Sequence, residues 1–252
     1  MFYNIKIEFR RYWNEICNFK INMICANLGL ITLFSGLLDI IDIENGEIVF
    51  ILMFIWYSAT HGFMNINFII EEEIIDGTLP HIICTKVSFL KVITLRSIIQ
   101  IIYDLLKSCI VFSIVFYMIN FKFHSFTQFD WLIILICSLF SIIISYFIGL
   151  VLGSLALKYK KITALPGLFY YYIFFFGGVM QDTVNYFVMN VISYCFPFMP
   201  MRKLLYSFQL GFINYSYIGI LLLQGIIYFT IGVYLYNKFM KQNFKSGGLY
   251  YV

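Results

Sequence analysis

Charge is scarce in this sequence: Asp, Glu, Lys and Arg make up 12% of its 252 residues. A water-soluble domain carries roughly 25% charge, so a soluble globule would lack the polar surface to cover itself. Histidine is scarcer. His61, His81 and His124 lie far apart and form no H-E-x-x-H, and His81 with Cys84 supplies two ligands, too few for a tetrahedral metal site. The six cysteines, Cys17, Cys25, Cys84, Cys109, Cys137 and Cys195, include no C-x-x-C pair. Most fall in or beside apolar runs, so they are expected to be small buried side chains, not disulfides or metal ligands. No G-x-S-x-G and no G-x-x-x-x-G-K-[ST] occurs in these residues, so no Walker loop is present to hold ATP.

What is abundant is apolar: 62% hydrophobic and 21% aromatic. Six segments read as membrane crossings, at 21–38, 48–70, 97–119, 131–157, 162–180 and 216–237. Each reaches or approaches the ~20 helical residues that cover ~30 Å of hydrocarbon. Barrel strands would alternate apolar and polar residues over ~10 positions. These runs are continuously apolar, which predicts an all-α integral membrane fold with backbone groups satisfied inside each helix.

The bases set the expected orientation. With the N-terminus in the cytoplasm, Lys6, Arg10, Arg11, Lys20, Lys86, Lys91, Arg96, Lys158, Lys160, Lys161, Lys238, Lys241 and Lys245 fall on the inner side. Only Lys122, Arg202 and Lys203 fall outside, and Lys107 lies within a span. The positive-inside bias therefore predicts cytoplasmic termini. It also accounts for the net charge of +4, which reports topology and not nucleic-acid binding. No cleavable signal peptide is expected, because the first apolar run ends at an acidic loop without an A-x-A-like site.

Residues 1–20 are expected to form an amphipathic interfacial helix, ahead of one membrane domain over 21–252. Phe2, Ile5, Phe9, Tyr12, Trp13 and Ile16 recur at helical spacing beside Lys6, Glu8, Arg10, Arg11 and Glu15. A soluble extension folding elsewhere is the competing reading. In the fourth span Ser141, Ser145, Gly149 and Gly153 stack on one stripe, where another helix can approach closely. Between the last two spans, Val184–Phe196 is apolar but too short to cross, and Pro197 and Pro200 interrupt the chain beyond it. Two short re-entrant helices are expected there, since a plain loop would expose Phe187, Val188, Ile192, Phe196 and Phe198 to water.

Two polar features stand out against this background. One is the island Glu71-Glu72-Glu73-Ile74-Ile75-Asp76-Gly77-Thr78-Leu79, either a solvated turn or a docking surface for a soluble partner. Gly77 permits a sharp exit from the span, and Thr78 is placed to cap a following helix. The other is a stripe in the third span, Gln100, Asp104 and Lys107. Asp104 and Lys107 at i, i+3 share a helix face and are expected to neutralise each other, lining a path, coordinating a proton or simply holding helices together. In the fifth span Tyr170, Tyr171, Tyr172, Phe174, Phe175 and Phe176 crowd together. Tyr170, Tyr171 and Phe174 join Gln100, Asp104 and Lys107 as candidate path residues, although packing and interface anchoring explain most of the aromatics.

At the island the chain resembles the membrane subunit of ABC-2 type exporters. In that family an acidic stretch after the second span precedes Gly-Thr-Leu, a short helix and a threonine-proline-x-serine element. Here Glu73 is followed by Gly77-Thr78-Leu79, and Thr85-Lys86-Val87-Ser88 fills the last element; Pro80 and Lys86 depart from the pattern. The resemblance implies that Glu71, Glu72, Glu73, Asp76, Gly77, Thr78 and Leu79 couple the chain to a separate ATP-binding subunit, present in two copies. It implies a second permease, identical or homologous, with ATP and Mg on the partner and no cofactor in this chain. It further implies a permease, not an enzyme, in a bacterial plasma membrane. The chain would export an amphiphilic cargo such as a drug, a bacteriocin-like peptide or a lipid-linked glycan. Short outer loops leave no receptor domain for a binding-protein-dependent importer. The rival readings are an ATP-independent channel or ion-coupled transporter using Asp104 and Lys107, and, lower, a membrane-embedded enzyme.

Overall fold

A computed structural model of the chain describes residues 2–40, 43–84, 88–119, 126–180 and 187–246. Its regular elements are all helices. They are α1 (Phe2–Asn18), α2 (Lys20–Ile40), α3 (Ile43–Ile75), α4 (Leu79–Ile83) and α5 (Phe89–Ile119). There follow α6 (Gln128–Tyr159), α7 (Ala164–Phe176), α8 (Phe187–Ser193), α9 (Phe198–Gln209) and α10 (Tyr215–Ser246). Lys122, His124 and the Thr85-Lys86-Val87 part of the motif lie outside the described residues, as do 181–186 of the expected re-entrant stretch.

Five of these helices, α2, α3, α5, α6 and α10, are long and apolar enough to cross a membrane. The stretch read as the fifth crossing, 162–180, instead forms the 13-residue α7, which stops at Gly177. At 1.5 Å per residue that is about 20 Å, short of the ~30 Å of hydrocarbon. Long apolar helices thus give five candidate crossings where six were expected. The stop has a local cause: Gly178 takes φ +102°, and its Cα lies so close to Met199 that a Cβ would meet that backbone at 2.8 Å. The carbonyls of Gly178 and Val179 accept hydrogen bonds from the buried Arg202 guanidinium on α9, at 3.2 and 3.0 Å.

The core is built around α6, which packs against α3 on one flank and α10 on the other. The small-residue stripe explains the first contact. A Cβ at Gly149 would stand 2.6 Å from Phe63 Cα, and one at Gly153 would stand 2.8 Å from Ile70 Cδ1. Ser141 and Ser145 return their hydroxyls to Cys137 O and Ser141 O, at 2.9 and 3.0 Å, so they leave no unmet donor in the interface. At its start α6 carries a capping box, with Thr127 and Asp130 bonding each other's backbone amides.

A second cluster joins α2, α3 and α5. The Phe112 ring lies 5.0 Å from Phe34, 5.3 Å from Phe50 and 5.5 Å from Phe54. Each such ring pair adds about 0.5–1.5 kcal/mol beyond the area it buries. Outward faces of the bundle are apolar, as Leu28, Ile110 and Leu223 show. This corrects the expectation for the cysteines. Only Cys137 is buried, and the other five are exposed, because the outside of a membrane bundle is itself apolar and a small thiol sits there as readily as inside.

Candidate functional site

The 33 residues of α3 span about 50 Å, well beyond the hydrocarbon, so one end must project. The island occupies that end. Glu71, Glu72 and Glu73 continue the helix, and the chain then turns through Asp76 and Gly77, whose φ is +67°. α4 follows, with the Leu79 side chain 1% exposed and acting as its anchor in the core.

The four acids have different surroundings. Glu71 is buried, and its Oε1 accepts the Ile162 amide at 2.6 Å and Asn67 Nδ2 at 3.0 Å. Its Oε2 accepts the Thr163 hydroxyl at 2.9 Å. Glu71 therefore holds the chain at the entrance to α7, where amide donors and the helix dipole favour an anion. Glu73 Oε1 accepts Arg96 Nη1 at 2.7 Å, and its other oxygen accepts the Thr78 hydroxyl. Arg96 also reaches Glu8 on α1 at 3.5 Å, and Glu8 lies 3.9 Å from Arg11. One guanidinium thus ties the end of α3, the first turns of α5 and α1. Glu72 and Asp76 alone of the four are exposed. Glu72 borders a cavity of about 130 Å³ shared with Glu8, Arg11, Asn65, Arg96 and Gln100.

Thr78 does not cap α4, contrary to expectation. Its backbone is helical at φ −85°, ψ −19°, whereas a capping side chain reaches the N2 or N3 amide from an extended residue. Pro80 also removes one of the amides that a cap would satisfy. The hydroxyl turns back to Glu73 instead and closes the turn from the α3 side.

The candidate path residues separate into two groups. Trp56 on α3 meets Tyr170 at 4.6 Å and Phe174 at 4.5 Å. The next residue, Tyr57, meets Lys107, whose Nζ stands 5.4 Å above its ring. Consecutive helix positions point about 100° apart, so α3 stands between Tyr170 and Phe174 on one flank and Lys107 on another. Tyr171 is exposed, and Gln100 borders the small cavity beside Glu72.

Asp104 and Lys107 do not form the expected ion pair. Among the described residues the ion pairs are Glu8 with Arg11, Glu8 with Arg96, and Glu73 with Arg96. The short Asp104 side chain is 4% exposed and its Oδ2 has no hydrogen-bond partner. The longer Lys107 stem carries its ammonium away over Tyr57. A shared helix face fixes where two Cβ atoms stand, not where side chains of unequal length end.

Sequence reasoning missed Arg96, Glu8, Ile162 and Thr163 as partners of the island. Arg96 carried a weak signal, being the base nearest the start of the third apolar run. The Ile162 amide carried none, since any residue type but proline supplies one.

The fold and this turn define an all-helical membrane protein whose polar machinery is gathered at one end of the bundle. Its family is the ABC-2 type transporters: the family's sequence model matches residues 1–210, and the chain belongs to it. Membership makes the chain a membrane component of a transporter assembly that works with an ATPase partner. No curated protein matches the chain.

Proposed function

We propose that this chain is the permease half of an ATP-driven exporter, moving an amphiphilic cargo such as a drug, a bacteriocin-like peptide or a lipid-linked glycan out of a bacterial cell. Two permeases, identical or homologous, enclose the path, and two ATP-binding subunits dock beneath, where ATP and Mg reside. The observation that carries this reading is the family match together with the turn after α3. There Glu72 and Asp76 stay exposed while Glu71, Glu73 and Leu79 are fixed to the bundle. A docking element needs that combination: exposed charge for a partner, and a rigid attachment through which the partner's closure can move the helices.

In the plasma membrane this end faces the cytoplasm together with both termini. Residues 162–180 serve as the remaining crossing, and α8 and α9 dip back into the outer leaflet. Gln224 Nε2 donates to Tyr194 O at 2.6 Å, and the Tyr228 hydroxyl donates to Cys195 O at 2.7 Å. Those partners sit roughly 14–20 Å along α10 from its first residue, which supports a re-entrant α8–α9 junction.

An ATP-binding cassette subunit from the same genome is the partner to test. Co-reconstituted with it, the chain should export cargo only with hydrolysable ATP. Transport by the purified chain alone would overturn the proposal and favour the ion-coupled reading, which the unpartnered buried oxygen of Asp104 supports.

A further inference from the structure

A second, larger cavity adjoins the first through Tyr12 and Ile99, as a groove of about 450 Å³ between α1, α2 and α5. That volume falls within the range of roughly 300–1,000 Å³ typical of small-molecule sites. Its walls are aliphatic and aromatic, with Trp13 from α1, Ile31 from α2, and Ile102, Leu106 and Ile110 from α5. Ile102, Leu106 and Ile110 are 54%, 61% and 64% exposed. Two of its walls, α2 and α5, are helices long and apolar enough to cross a bilayer, so a ligand with a hydrocarbon body suits it.

Lys107 does not suit a groove filled by acyl chains alone. It borders the slot, and no carboxylate lies within ion-pair distance of its ammonium among the described residues. The Lys107 ammonium stands 5.4 Å over the Tyr57 ring, and Asn27, which lines the same groove, accepts the Tyr57 hydroxyl on its Oδ1 at 3.2 Å. A positive charge with a ring face and an amide beside an apolar slot matches a ligand with a hydrocarbon body and a negative head.

We propose that the α1–α2–α5 groove binds an anionic amphiphile, with its chain laid along Ile102, Leu106 and Ile110 and its carboxylate or phosphate paired with Lys107. The site stands whether the amphiphile is a resident lipid or a molecule in transit. It also stands whichever direction the assembly pumps.

The test uses the full chain in phosphatidylcholine nanodiscs. Acyl-diazirine probes, with adducts mapped by mass spectrometry, compare phosphatidylglycerol, a long-chain fatty acid and phosphatidylcholine. The anionic probes should label α1, α2 and α5 around the groove several-fold more than phosphatidylcholine does. Preference for phosphatidylglycerol identifies a resident lipid, and preference for the fatty acid identifies a soluble amphiphile; both support the site. Lys107→Met, which removes the charge and nearly keeps the side chain's length, should abolish the preference. Leu106→Trp, at an exposed position, should reduce labelling by every probe. Arg10→Gln, also exposed, should leave the preference intact. Equal labelling by all probes, protection of the groove by a second copy of the chain, or a preference that survives Lys107→Met but not Arg10→Gln would overturn the proposal.

Discussion

Arg96 Nη1 lies 2.7 Å from Glu73 Oε1, joining the last turns of α3 to the first turns of α5 across the loop that α4 occupies. Both side chains are mostly shielded, at 14% and 13% exposed. A pair of this kind is more than a surface ion pair, because removing one partner strands the other. Arg96→Met and Glu73→Gln are each expected to destabilise the chain by about 1–3 kcal/mol. The double variant should cost less than the sum, with a coupling of about 1 kcal/mol. Unfolding in mixed micelles measures all three. Additive losses would mean that the two side chains stand near each other without acting on each other.

The glycines of α6 make a sharper prediction, because Gly149 and Gly153 meet backbone or branched carbons while Gly36 on α2 meets nothing within 4 Å. Gly149→Ala places a methyl 2.6 Å from Phe63 Cα. α3 and α6 must then separate, at a cost of about 1–3 kcal/mol. Gly36→Ala on α2 finds open space and should stabilise its helix by about 0.5–1 kcal/mol. Thermal unfolding of the two variants side by side should give shifts of opposite sign.

Orientation can be read with native chemistry. Cys84 follows α4 and is exposed, while Thr127 starts α6 at the opposite end of α5. In a chain otherwise stripped of cysteine, a membrane-impermeant maleimide added to whole cells should label Thr127→Cys and spare Cys84. Opening the membrane should expose Cys84. The reverse pattern would place the turn outside and remove any route to a cytoplasmic ATPase.

How much of this was legible beforehand depends on the range of the interaction. Helix type and most crossings followed from continuous apolar runs, because each crossing satisfies its own backbone. The stripe at Gly149 and Gly153 marked a close helix contact, but not that its partner was α3 through Phe63 and Ile70. Spacing at i, i+3 put Asp104 and Lys107 on one face and said nothing about Tyr57, which came from another helix to meet the ammonium. At 162–180 the apolar run did not disclose the stop of α7 at Gly177. Its cause lies in Met199 and Arg202, more than 20 residues further on. At the island the acids were visible as a cluster, whereas their division into fixed and exposed members depended on Arg96 and on an amide at Ile162.

That division gives the most discriminating prediction. Glu71 satisfies the Ile162 amide, the Thr163 hydroxyl and Asn67, so Glu71→Ala should leave three shielded donors short of a partner and cost about 1–3 kcal/mol of stability. Glu72 and Asp76 are exposed, and surface substitutions away from such networks usually change stability by less than about 0.5 kcal/mol. The paired change Glu72→Gln with Asp76→Asn should therefore leave unfolding where it was. Its effect should appear only with the partner present, as roughly a tenfold weaker association, about 1.4 kcal/mol, with basal ATP hydrolysis by the partner untouched. The difference from the unaltered chain should shrink as salt is raised, since exposed charges are screened beyond roughly 8–10 Å at physiological ionic strength and over shorter distances above it. Binding between the paired variant and the ATPase, measured at two salt concentrations, separates the roles: an unchanged affinity would mean that these two acids are only solvated and that the contact is made elsewhere, outside α3 and the turn.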